Sequence, residues 1–148
     1  SWIAPVVIAA CNLLGSLIAG RLVDRLPLRV LLGSLALVTT VSLAGLAAFG
    51  GVFGLMLGFG LVGFAYGGTI AAYPAAIAKL FGMEQSAQVY GRIFTAWGAA
   101  GLVGPWFAGV LFDWSGDYRL ALFTAAAIGL MSVVAVMVLF RVTRSGIE

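Results

Sequence analysis

The residues able to do chemistry in this chain are few, and several of them cluster. The stretch GRLVDRLPLR, from Gly20 to Arg29, holds Arg21, Asp24, Arg25 and Arg29, although only 9% of all residues are charged. A carboxylate at a helix end can pair with basic groups and with a neighbouring helix N-terminus. Asp113 and Asp117 stand four residues apart, a spacing that acid–base chemistry could use. A solvated turn around Ser115 and Gly116 is the simpler account of that pair. There is no histidine, and Cys11 is the single cysteine. Histidine-held zinc, Ser–His and Cys–His dyads and an intrachain disulfide are therefore excluded. The expectation is a protein that is not an enzyme and carries no metal or cofactor.

The other polar or amphipathic groups lie inside apolar runs: Asn12, Ser16, Tyr66, Thr69, Tyr73, Thr95 and Trp97. Such groups are candidates for the lining of a solute path. Each also has a purely structural account. Serine and threonine bond their own helix backbone. An asparagine can make an interhelical hydrogen bond worth ~0.6 kcal/mol. Tyrosine and tryptophan mark membrane interfaces.

The elements that must position these groups follow from composition. The chain has 148 residues, 63% of them hydrophobic, with a mean hydropathy of +1.15. A soluble domain has ~45–50% apolar and ~25% charged residues, so the expected solvent is lipid. Apolar segments run over residues 2–20, 30–49, 52–81, 89–112 and 120–140. A membrane span needs ~20 such residues, and a chain without alternation must satisfy its backbone within helices. The expected fold class is all-α, a polytopic membrane helical bundle with five transmembrane helices. The connectors are the charged stretch, Gly50–Gly51, Gly82–Gln88 and Asp113–Arg119, followed by the tail from Arg141. Pro74 lies within the third segment and should kink or break its helix.

The net charge is +3 and the sequence pI about 9.5. The basic residues fall between apolar runs, which points to membrane orientation rather than nucleic acid. With five crossings and the first connector cytoplasmic, that side holds Arg21, Arg25, Arg29, Lys79, Arg92, Arg141 and Arg144. Only Arg119 falls outside. This satisfies the positive-inside rule and makes the C-terminus cytoplasmic. The expected location is the bilayer of an inner (plasma) membrane, taken to be bacterial. Glycines at small-x-x-x-small spacing, such as Gly63 and Gly67, allow close helix packing.

The pattern Gly20-x-Leu22-x-Asp24-Arg25, followed by Arg29, resembles the loop signature of the major facilitator superfamily (G-x-L-x-D-R-x-G-R-[RK]). Pro27 and Leu28 stand where that signature prefers Gly and Arg, as suits its weakened second copy. The resemblance makes Gly20, Asp24, Arg25 and Arg29 a conformational latch; a loop that only sets topology is the alternative. Gly101, Gly104 and Pro105 resemble the Gly-Pro rich eleventh helix of the family, a packing element. YPAAIAKLFG, YGRIFTAWGAAGLVGP and the D-x-x-G-D-Y-R connector resemble the oxalate:formate antiporter and monocarboxylate porter branch.

The resemblance implies a partial major facilitator fold, helices eight to twelve of a twelve-helix transporter. The N-terminal half would then be a missing partner. The implied function is alternating-access transport of a small organic anion such as a monocarboxylate, as an antiporter or other carrier. The alternatives are a non-transporting membrane subunit and a carrier of another small solute. By the same resemblance Trp97, Tyr66 and Tyr73 belong to cavity-facing helices. The branch's antiporter binds a dianion with a basic residue on each of two helices. Ser16 and Trp97 stand at those places here, so this half lacks that cation pair.

Overall fold

Apolar runs that leave no backbone polar group to lipid must close their hydrogen bonds within helices. The computed structural model describes residues 2–49 and 51–145, with side chains through residue 140. The side chains of Arg141 and Arg144, invoked for topology, thus lie outside the described residues. Among the described residues four helical elements follow one another: α1 (Ile3–Leu22), α2 (Leu28–Ala48), α3 (Val52–Ser115) and α4 (Arg119–Ser145). Each is long and apolar enough to cross a membrane.

The element α3 is two helices joined at one residue. Gly82 has φ 75° and ψ 166° within otherwise helical backbone, a region open essentially to glycine alone. Residues 52–81 form a first arm and residues 83–115 a second. The rings of Tyr66 and Trp97, on different arms, are 6.4 Å apart. In an uninterrupted helix they would lie ~45 Å apart at 1.5 Å per residue, so the second arm folds back along the first. Pro74 does not break the helix, and the stretch after Gly82 is not an irregular connector. The helix passes through Pro74 with helical dihedrals, and the break falls at Gly82. The stretch 83–88, read as connector, is already helix, because one glycine with positive φ suffices to redirect the chain.

The first arm packs against α1 by close backbone approach. A Cβ at Gly67 would collide with the Asn12 carbonyl, one at Gly15 with the Phe64 carbonyl and one at Gly63 with the Ile8 carbonyl. The glycine spacing thus becomes an interface in which backbone meets backbone. Ser16 Oγ donates to the Gly67 carbonyl at 2.9 Å across the same seam. A buried apolar cluster of Ala19, Val23, Leu31, Leu35 and Ala72 ties the first arm to α1 and α2. Helix α4 lies against α2, where Gly33 faces the Met137 side chain and Gly129 faces Thr40. The second arm is different: residues 91–107 are exposed throughout, and around Gly98, Gly101 and Gly104 the space is open.

The helix ends fall into two sets, each held by a basic side chain. At one end Lys79 Nζ donates to the Val23 carbonyl at 2.6 Å, just past the C-terminus of α1. At the other end Arg119 Nε donates to the Ala47 carbonyl at 2.9 Å, in the last turn of α2. Both place a cation on carbonyls that the helix itself cannot satisfy.

Candidate functional site

An aromatic cleft lies between the two arms of α3. The first arm lines it with Thr69, Ile70 and Tyr73 and the second with Tyr90, Ile93, Phe94 and Trp97, while Tyr66 of the first arm stacks on Trp97. On each arm the key positions recur at about i, i+4 and i+7, one face of a helix. The pairing follows from the fold at Gly82. Tyr73 and Tyr90 lie about 12–14 Å along their arms from it, and Tyr66 and Trp97 about 22–24 Å, at 1.5 Å per residue. The cleft therefore runs from the glycine end toward the middle of the two arms.

Its aromatic wall is continuous on the second arm. The rings of Tyr90 and Phe94 are 5.5 Å apart and those of Phe94 and Trp97 5.0 Å. Tyr66 meets Trp97 with an interplanar angle of 27° and so closes the far end. The half-open cleft has a volume of about 510 Å³, within the ~300–1,000 Å³ of small-molecule sites. Every lining side chain is uncharged. Thr69 Oγ1 donates to the Ala65 carbonyl at 2.7 Å, so its proton is engaged. The phenols of Tyr73 and Tyr90 and the indole N–H of Trp97 are the groups that could donate to a solute.

The sequence candidates separate on this geometry. Thr69, Tyr73 and Trp97 line the cleft, and Tyr66 stacks on Trp97. Asn12 and Ser16 belong to the α1–α3 seam, where Asn12 offers its backbone and Ser16 its hydroxyl to Gly67. Thr95 is exposed and donates to the Gly91 carbonyl at 2.9 Å. Tyr90, Ile70, Ile93 and Phe94 also line the cleft, beyond the residues the sequence singles out. The i, i+4, i+7 spacing of Tyr90, Phe94 and Trp97 was the signal that could have found the two aromatic ones.

At the glycine end, the Asp24 carboxylate pairs with Lys79 Nζ at 2.9 Å. Its partner is a lysine on the first arm of α3, not one of the flanking arginines. Pro27, in extended conformation, starts α2 by offering its carbonyl to Val30 N at 2.9 Å and Leu31 N at 3.2 Å. Gly20 faces open space. Asp117 Oδ1 accepts from Arg119 N at 2.8 Å and caps α4, while Gly116 (φ 75°) ends α3. That arrangement is a turn rather than a pair of catalytic carboxylates. Among the described residues no group of three His, Cys, Asp or Glu could hold a metal ion.

The described residues thus combine long apolar helices, a solute-sized cleft and a basic clasp at each set of helix ends. A family model described as Major Facilitator Superfamily matches residues 1–148. The chain belongs to the Major Facilitator Superfamily. Comparison with curated proteins and with solved structures finds no match. As a facilitator chain it is an integral membrane protein, and its family function is transport of small solutes rather than catalysis.

Proposed function

We propose that this facilitator chain carries a small organic anion, such as a monocarboxylate, across the bilayer by alternating access. The observation that carries the reading is the uncharged cleft between the arms of α3, with two phenol donors and no carboxylate to repel an anion. The sequence resemblance to monocarboxylate porters supports the same class. Exchange against a second anion, as in an antiporter, fits a chain with no carboxylate in the cleft to carry a proton. The open face of the second arm around Gly101 and Gly104 would meet the N-terminal half of the transporter, the two halves rocking about a shared site.

In this reading the Asp24–Lys79 end is cytoplasmic. It carries Arg21, Arg25 and Arg29 as well, in keeping with the positive-inside rule, and so the C-terminus is cytoplasmic too. The membrane would be a bacterial inner membrane. Gly20, Asp24, Arg25 and Arg29 form a latch segment, with Asp24 held to Lys79 in the conformation seen. Uptake of labelled acetate, lactate and benzoate by vesicles containing the full-length protein tests the reading. Saturable uptake, with faster efflux when a second carboxylate is supplied outside, is the expected result. Absence of uptake of every carboxylate, in vesicles where the protein is correctly inserted, would reject it.

A further inference from the structure

The aromatic content of the cleft says more than that a small anion enters. An anion recognised through its charge calls for a desolvated cation or several converging donors, and the lining has no cation. It offers instead an aromatic wall of Tyr90, Phe94 and Trp97 facing Tyr73, Thr69 and Ile70, with Tyr66 stacked on Trp97 beyond the lining. Tyr66 and Trp97, with planes 27° apart, close one end. Toward Gly82, among the described residues, no ring contact joins Tyr73 to Tyr90, and the space between the walls is the cleft. Rings prefer offset-stacked or edge-to-face neighbours at centroid distances of ~4.5–7 Å. A flat ring between these walls would continue the Tyr90–Phe94–Trp97 ladder.

We infer that the cleft takes the planar ring of an aromatic monocarboxylate, its carboxylate lying toward the phenols of Tyr73 and Tyr90. This rests on the organic-anion reading above and narrows it. A short aliphatic acid would leave the walls unfilled. A dianion would bring a second charge to a site where uncharged donors must hold even the first. The ring supplies the affinity and one phenol hydrogen bond orients it.

The test is binding to the purified full-length protein in lipid nanodiscs. Benzoate, cyclohexanecarboxylate, acetate and benzylammonium serve as probes, read by calorimetry. Benzoate should bind at least tenfold more tightly than acetate, and more tightly than the non-planar cyclohexane acid. Phe94→Leu and Trp97→Leu should each weaken benzoate by roughly two- to tenfold, the worth of one aromatic pair. Trp97→Phe, which keeps a ring, should stay near wild type and guards against misfolding. Equal binding of benzoate and cyclohexanecarboxylate, or benzoate affinity untouched by both leucine variants, overturns the inference. If benzylammonium binds with the same dependence on Phe94 and Trp97 while benzoate does not, the anion reading falls and the ring site stands.

Discussion

Lys79 Nζ sits 2.9 Å from the Asp24 carboxylate, joining the loop after α1 to the last turns of the first arm of α3. The same nitrogen donates to the Val23 carbonyl at 2.6 Å. One cation thus satisfies both an acidic side chain and a helix-end carbonyl. The side chains of Lys79 and Asp24 are 43% and 75% exposed. Exposed pairs contribute only ~0.2–1 kcal/mol, so the contact is weak enough to open and close.

Lys79→Met should therefore leave the melting temperature nearly unchanged while altering the transport rate. Asp24→Asn should act in the same direction. The exchange Asp24→Lys with Lys79→Asp should recover part of the lost rate, although the helix-end contact to Val23 is lost. Initial uptake rates of the four proteins, normalised to inserted protein, decide it. A rate insensitive to all of these changes would reduce the segment to a topology signal.

Gly67 touches the Asn12 backbone with no room for a Cβ. Gly67→Leu should force α1 and α3 apart and cost at least the ~1–3 kcal/mol typical of overpacking. Ser16→Ala should cost much less, ~0.6 kcal/mol for one interhelical hydrogen bond. Thermal unfolding in detergent should rank wild type and Ser16→Ala close together and Gly67→Leu well below.

Gly82 holds a conformation that a side chain disfavours, although the space around it is open. Gly82→Ala should cost ~1–3 kcal/mol through backbone strain alone. Part of that strain can be relieved by changing the angle between the arms, which would separate Tyr66 from Trp97. Spin labels at Ala75 and Ser86, one on each arm, should report a changed distance in the variant. An unchanged distance and melting temperature would show that the backbone there is not constrained as described.

Arg119 donates from Nε to the Ala47 carbonyl at 2.9 Å, at the end opposite Lys79. Arg119→Gln keeps a donor but shortens the reach and removes the charge. It should destabilise the α2–α4 end by about 1 kcal/mol, in the range of a net hydrogen bond. Faster amide exchange at Ala48 and Phe49, with little change in the α1–α3 seam, is the expected pattern.

Much of the architecture is legible in residue order because it depends on local repeats. The helical class, the embedding in lipid and the crowding of Gly63 and Gly67 follow from apolar run length and small-residue spacing, which act within one element. Turn chemistry was legible for the same reason at Ser115–Gly116, where a glycine with φ 75° ends the helix. Pro74 and Gly82 show the limit. Both residue types can break a helix, and their identities alone do not say which one does. Pro74 keeps helical dihedrals within the first arm, and the reversal falls at the glycine.

Which polar residues share a surface was settled only by tertiary structure. Thr69 and Thr95 look alike in sequence, each a threonine in an apolar helix bonded to its own backbone. One lines the cleft and the other does not: Thr69 shares the face of Ile70 and Tyr73, whereas Thr95 lies off the face of Tyr90, Phe94 and Trp97. The partner of Asp24 is another such case. Three arginines lie near it in sequence, yet the chain brings Lys79 to it from the far end of another helix. Sequence determined which helices form and that they lie in a membrane, since hydrogen bonding and lipid solvation act on every segment separately. Register, rotation and the angle at Gly82 arise only when the segments meet, and those three quantities make the aromatic cleft.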